Sequence, residues 1–136
     1  MTRVLVDTNV LVDLLTDDPI WAEWSTDAFC ACMDHARLVI DTTVYAELAV
    51  RYDTVERLEQ MIDAAGLERE HVPWSAAYLA GKAFERYRRS GGTRRSPLPD
   101  FFIGAHAAVS GMTLLTRDAS RYRTYFPTVE LIAPDA

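Results

Sequence analysis

Apolar residues fall along the chain in short runs that alternate between two spacings. Val4-Leu5-Val6 is a compact β-branched run that predicts a strand from Arg3. Past the polar corner Asp7-Thr8-Asn9 the spacing changes to Val10, Leu11, Leu14 and Leu15, the repeat of a helix. Asp18-Pro19 offers a cap and a first-turn proline for a helix through Trp21, Trp24, Ala28 and Phe29 to about His35. Leu38-Val39-Ile40 predicts a second strand ending at Asp41, and Val44 to Arg51 reads as a helix with Thr43 as its cap.

The alternation continues. Asp53 opens a helix through Leu58, Met61 and Ile62 that Gly66 stops, and a short third strand is expected around His71-Val72. Ser75 can cap a helix to about Ser90, where Gly91-Gly92 breaks it and leads into the loop Thr93 to Pro99. Asp100 starts a helix that Gly111 ends; Thr113 to Thr116 and Val129 to Ile132 read as the last strands. Strands separated by helices imply an α/β chain with a mostly parallel sheet covered on both faces, whose ligands lie beyond the strands' carboxyl ends. One domain spanning 1–136 is expected.

Composition narrows the class. With 49% hydrophobic and 25% charged residues the chain suits a globular domain. Its apolar runs are too short to cross a bilayer and its N-terminus lacks a signal-peptide layout, so a cytoplasmic location without membrane attachment is expected. Cys30 and Cys32, two apart on a helix, point apart, which disfavours both a mutual disulfide and a metal clamp. A net charge of −6 argues against a general nucleic-acid coat. Between Lys82 and Arg95, however, six basic residues face one acid, Glu85. That strip is either a solvated helix face or a local phosphate grip.

The carboxylates carry the chemistry. Asp7, Asp41 and Asp118 each stand where an apolar strand gives way to a corner, and Asp100 stands in the first turn behind the Pro-rich loop. Singly, each is an ordinary cap or turn former. In one parallel sheet, strand-end acids reach the same edge, where like charges raise each other's pKa or recruit a cation. Oxygen ligands without matched histidines or cysteines select Mg²⁺ or Mn²⁺ over zinc. His35, His71 and His106 are scattered and read as packing or surface residues, and Trp21, Trp24 and Phe29 as mainly core.

Four segments in order, Val4 to Leu11 (VLVDTNVL), Thr43 to Leu48 (TVYAEL), Pro97 to Ala105 (PLPDFFIGA) and Leu114 to Asp118 (LLTRD), resemble the PIN-domain ribonucleases, and more narrowly VapC-type toxins of bacterial toxin–antitoxin pairs. Nearly the whole chain is covered by the resemblance, which implies a three-layer fold whose five-stranded sheet runs 3-2-1-4-5. It also implies an active site of Asp7, Glu47, Asp100 and Asp118, selecting Glu47 over Asp41 as the second acid. Thr8, Asn9 and Thr116 are implied as supports that hold the carboxylates.

The activity implied is hydrolysis of RNA phosphodiesters with one or two Mg²⁺ or Mn²⁺ ions. Asp7, Asp100 and Asp118 are the expected principal ligands, with Glu47 a ligand or the base. Arg86, Arg89, Arg94, Arg95 and Arg117 are candidates to offset the charge of an approaching RNA backbone. A homodimer is implied, as is a VapB-type antitoxin whose C-terminal segment crosses the groove. Two rivals remain: an inactive binding module of the same fold, disfavoured because all four acids are present, and a phosphoacceptor receiver domain. The second wants an early pair of acids and a lysine after a late strand, whereas the only lysine, Lys82, falls on an expected helix.

Overall fold

Parallel neighbours cannot be joined by tight turns, so almost every link in this chain carries a helix. The structure is a computed structural model that describes residues 1–92 and 98–134. In it β1 (Thr2–Val6) is followed by α1 (Thr8–Thr16) and α2 (Ala22–Met33), and β2 (Ala36–Asp41) by α3 (Thr42–Ala49) and α4 (Val55–Ala64). Next come β3 (Glu68–Glu70), α5 (Trp74–Arg89), α6 (Leu98–Ser110), β4 (Thr113–Leu115), α7 (Ser120–Tyr125) and β5 (Leu131–Ile132). The strands form one sheet in the order β3-β2-β1-β4-β5, and every neighbouring pair is parallel. This is the expected α/β arrangement.

The central strands are covered on both faces, which is why they read as unbroken apolar runs rather than alternations. Val4, Leu5 and Val6 of β1, Leu38, Val39 and Ile40 of β2, and Leu114 and Leu115 of β4 are all buried. Val10 and Leu11 of α1, Val44 and Leu48 of α3, Leu58 and Ile62 of α4, and Phe101 and Ile103 of α6 pack onto them. Gly66 and Gly111 end α4 and α6 at positive φ, +69° and +66°, where a side chain would be strained.

Several boundaries differ from expectation: α2 begins at Ala22 and not at Pro19, and α4 is capped by Thr54, whose hydroxyl accepts the Arg57 N–H, and not by Asp53. The third strand lies at Glu68–Glu70 rather than His71-Val72. It is an edge strand held partly by charge: Glu68 pairs with Arg37 and Glu70 with Arg3, so it carries no apolar signal. α3 is capped by Asp41, whose Oδ1 accepts the Val44 N–H at 3.0 Å, and not by Thr43. α5 begins at Trp74 after Pro73 and not at a Ser75 cap. α6 begins at Leu98, two residues before Asp100, with Pro99 in the first turn where its missing N–H costs nothing. α7 was not anticipated at all.

That last helix sits close to α6 because Gly104 lets it. A Cβ built at Gly104 would stand 2.4 Å from the Phe126 ring and 3.0 Å from the Tyr122 ring. Gly104→Ala therefore has to push Phe126 and Tyr122 outward, at a cost of roughly 1–3 kcal/mol. Urea denaturation should show that loss as a lower midpoint with an unchanged slope; an unchanged midpoint would mean that the contact yields freely.

Candidate active site

The carboxyl end of β1 places the first acid. Asp7 follows the strand directly, and its N–H donates to the Leu115 carbonyl at 2.9 Å, extending the ladder towards β4 by one residue. Its buried side chain is then gripped from three directions. Oδ2 accepts the Thr116 hydroxyl at 2.9 Å, the Tyr122 hydroxyl at 2.9 Å and the Asn9 amide at 3.3 Å. Asn9 is itself fixed, its Oδ1 accepting the Arg117 N–H at 3.3 Å, while the Thr116 hydroxyl oxygen accepts the Asp118 N–H at 3.1 Å. Thr8 donates at 2.6 Å to Oε1 of Glu47, which projects from α3. Thr8, Asn9 and Thr116 thus contact the acids directly.

Burial is the main force on these groups. It pushes the Asp7 carboxyl up to about 7, with the Asp100 charge adding to the rise, the Thr116 and Tyr122 hydrogen bonds opposing it, and Glu47 adding a little more. Glu47 is likewise raised by burial, against its Thr8 bond, with Asp100 and Asp41 contributing. Burial, and the neighbouring acids after it, hold Tyr122 well above the ordinary phenol value, so it stays a donor. Asp100 forms a short ion pair with Arg121 of α7.

Asp7, Asp100 and Asp118 line one cavity of about 390 Å³ with Asn9, Tyr87, Arg121 and Tyr122. Glu47 and Thr8 line an adjoining depression with Val12, Val50 and Arg51. Asp7, Asp100 and Asp118 thus share one cavity, and Glu47, outside its lining, is close enough to raise Asp7 and to be raised by Asp100. Asp41 stays out of the cavity: its Oδ2 shares a 3.0 Å hydrogen bond with the buried His106 Nδ1.

The donor set suits a hard divalent cation, being oxygen-rich, partly buried and short of compensating charge. Among the described residues, however, no three acid, histidine or cysteine side chains already converge as a cage. Three of the four carboxylates are turned instead to protein donors: Asp7 to Thr116 and Tyr122, Glu47 to Thr8, Asp100 to Arg121.

The arginines divide. Arg117 donates from Nε to the buried Asp13 at 2.7 Å and lies over the Trp21 ring at 5.5 Å, so it ties α1 and α2 to the loop after β4. Arg86 lies over Tyr125 at the cavity rim, and Arg89 is exposed beside Glu85. Arg94 and Arg95 lie outside the described residues. His35 and His71 are exposed, Phe29 is in the core with Trp24 packed against it, and Cys30 and Cys32 are free thiols. No helix among the described residues is long and apolar enough to cross a membrane.

Three residues that matter here escaped the sequence reading: Tyr122, Arg121 and Asp13. The first two sit on the unanticipated α7, for which Tyr122, Tyr125 and Phe126 at helical spacing were the available signal. Asp13 looked like an ordinary polar residue on a helix.

A PIN-domain family model matches residues 4–127, whereas no curated protein matches the chain. Among solved structures, a chain of VapBC2 from Rickettsia felis, bound to a DNA fragment from its promoter, superposes with a TM-score of 0.72 at 18% identity, covering 97% of this chain and 98% of that one. A chain of DNA-bound VapBC from Salmonella typhimurium gives 0.70 at 19% identity, with 98% of each covered. VapBC-1 from nontypeable Haemophilus influenzae gives 0.72 at 17% identity, covering 97% and 98%. At these identities the superpositions speak for the fold, and the family match speaks for descent: the chain belongs to the PIN-domain family.

Proposed function

We propose that this chain is a Mg²⁺- or Mn²⁺-dependent endoribonuclease of the VapC toxin type, with Asp7, Glu47, Asp100 and Asp118 as its active site. The observation that carries this reading is the buried Asp7, pushed up to about 7 by burial and the acids around it. Acids crowded together in a cavity raise one another's pKa or recruit a cation, and carboxylates perturbed in this way cluster at functional sites. Support for the toxin reading comes from the superposed chains, which come from VapBC structures. A VapB-type antitoxin is proposed on the same likeness, and a homodimer and a cytoplasmic place of action on the sequence alone.

In this reading Asp7, Asp100 and Asp118 hold one or two ions from the cavity side. A bound ion would lower the pKa of a water and offset charge on the leaving oxygen. Thr116, Tyr122 and Asn9 keep Asp7 in one orientation. Thr8 fixes Glu47, whose raised pKa suits either an added ligand or the group that takes the proton from water. Arg86 beside Tyr125 and the exposed Arg89, together with Arg94 and Arg95, which follow in sequence, supply the basic approach for the RNA backbone.

Cleavage of RNA oligonucleotides should require Mg²⁺ or Mn²⁺ and stop with a chelator. Asp7→Asn and Asp100→Asn should each lower the rate by at least about a hundredfold while the far-UV spectrum stays unchanged. A fully active Asp7→Asn protein would sink the proposed site, and a folded wild type that binds RNA without cutting it would favour the inactive module. Co-expression with a short reading frame directly upstream tests for the antitoxin.

Asp7 also fixes a pH dependence. The folded chain keeps the Asp7 proton to about 7, whereas the unfolded chain releases it near the ordinary 3.8. Between those values the folded state binds the extra proton, so this group's contribution to stability falls as pH rises from about 4 to about 7. Denaturation of the metal-free chain should therefore show wild type losing up to about 4 kcal/mol relative to Asp7→Asn across that window. Saturating Mn²⁺ should restore stability at neutral pH, by about 2.7 kcal/mol at a hundred times Kd. Parallel pH profiles for the two proteins would contradict the buried, charge-crowded Asp7.

A further inference from the structure

Building on the nuclease reading above, we propose that Arg121 is the phosphate-binding residue of the acidic cavity, parked on Asp100 until a cation takes that carboxylate. Arg121 is the sole cationic side chain among the described residues lining the cavity. Arg117 is held by Asp13 and Trp21, and Arg89 stands beside Glu85. The Arg121 guanidinium lies over two rings, 5.4 Å from the Tyr87 centroid and 5.9 Å from that of Phe101, while its Nη1 meets Asp100 Oδ2.

Two contacts of different kinds therefore hold one group. The aromatic shelf grips the face of the guanidinium and does not depend on metal. The contact with Asp100 does depend on it, because a cation bound in the cluster and Arg121 compete for the same oxygen. A guanidinium does not lose its proton, so once off Asp100 it is still charged and still on the shelf. Its planar fork then fits the oxygens of a phosphodiester. Arg121 pairs with Asp100 in the arrangement described, and α7 also brings the Tyr122 hydroxyl to Asp7.

The test compares wild type with Arg121→Gln, Arg121→Lys and Arg88→Gln, each first checked by thermal melting for a folded chain. Arg88 lies over Phe84 on the exposed side of α5 and controls for the loss of one positive charge. Calorimetry with Mn²⁺ should find Arg121→Gln binding the ion about fivefold more tightly, since it no longer competes with an ion pair. At saturating Mn²⁺ its KM for an oligoribonucleotide should rise about tenfold, with a smaller change in kcat. Arg121→Lys should return Mn²⁺ affinity towards wild type and recover part of the KM. Mn²⁺ affinity unchanged in Arg121→Gln, or raised as much by Arg88→Gln, overturns the parked state. An unchanged KM overturns the phosphate role while leaving the nuclease reading intact, and a wild type that neither binds Mn²⁺ nor cuts RNA overturns both.

Discussion

Everything at the functional edge follows from burying a carboxylate where others must also stand. The parallel sheet sends the carboxyl ends of β1, β2 and β4 in one direction, and Asp7 lies at the centre of that edge because β1 is the middle strand. Glu47 on α3 and Asp100 on α6 add their charges to that of Asp7 from helices packed against the same sheet. Its buried position raises Asp7 to about 7 even with two hydroxyls and an amide directed at it. The hydrophobic burial of β1 and β2 is what forces the acid into this place.

The offsets come from segments distant in sequence, which makes the site a clamp on the fold. Asp7 is bonded to the loop after β4 through Thr116 and to α7 through Tyr122. Asp41 uses one oxygen to cap α3, which carries Glu47, and the other to hold His106 on α6, which carries Asp100. The two helices bearing those acids are thus referred to the same strand end. Glu70, paired with Arg3, stands on the far side of His106 at 3.8 Å from Nε2. A change at Asp41 or His106 would alter the spacing of Glu47 and Asp100 without touching either.

What was legible in the sequence depended on how local each signal was. Strands β1 and β2 and helices α4 and α5 declared themselves because burial on both faces or on one stripe writes a regular pattern. β3 did not, since Glu-Arg-Glu on an edge earns its place through Arg37, Arg3 and Glu59, partners that no local window contains. For the acids, physics pointed to Asp7 and Asp118 as strand-end residues and made Asp100 plausible, whereas Glu47 rested on resemblance alone. Nothing local marks Glu47, because its importance comes from α3 being set by Asp41. Reading Asp41 as a strand-end acid was right about its place; its job is to cap and to clamp.

Arg117 and Arg121 show why charge alone could not assign the arginines. Four residues apart, both meet a carboxylate and an aromatic ring. Asp13, however, is buried and has Ser25 as a second partner at 2.7 Å, so the Arg117 pair closes a packed junction between α1, α2 and the β4 loop. Removing Arg117 would leave the Asp13 charge buried without its cation, a loss of about 3–5 kcal/mol that belongs to folding. Asp100, at 38% exposure, opens on the cavity. Without Arg121 the Asp100 carboxylate still reaches solvent and an incoming charge, so parting this pair costs less than parting the other. The same residue type thus serves as a rivet in one place and as a movable group in the other, and the difference lies in the burial of the acid it meets.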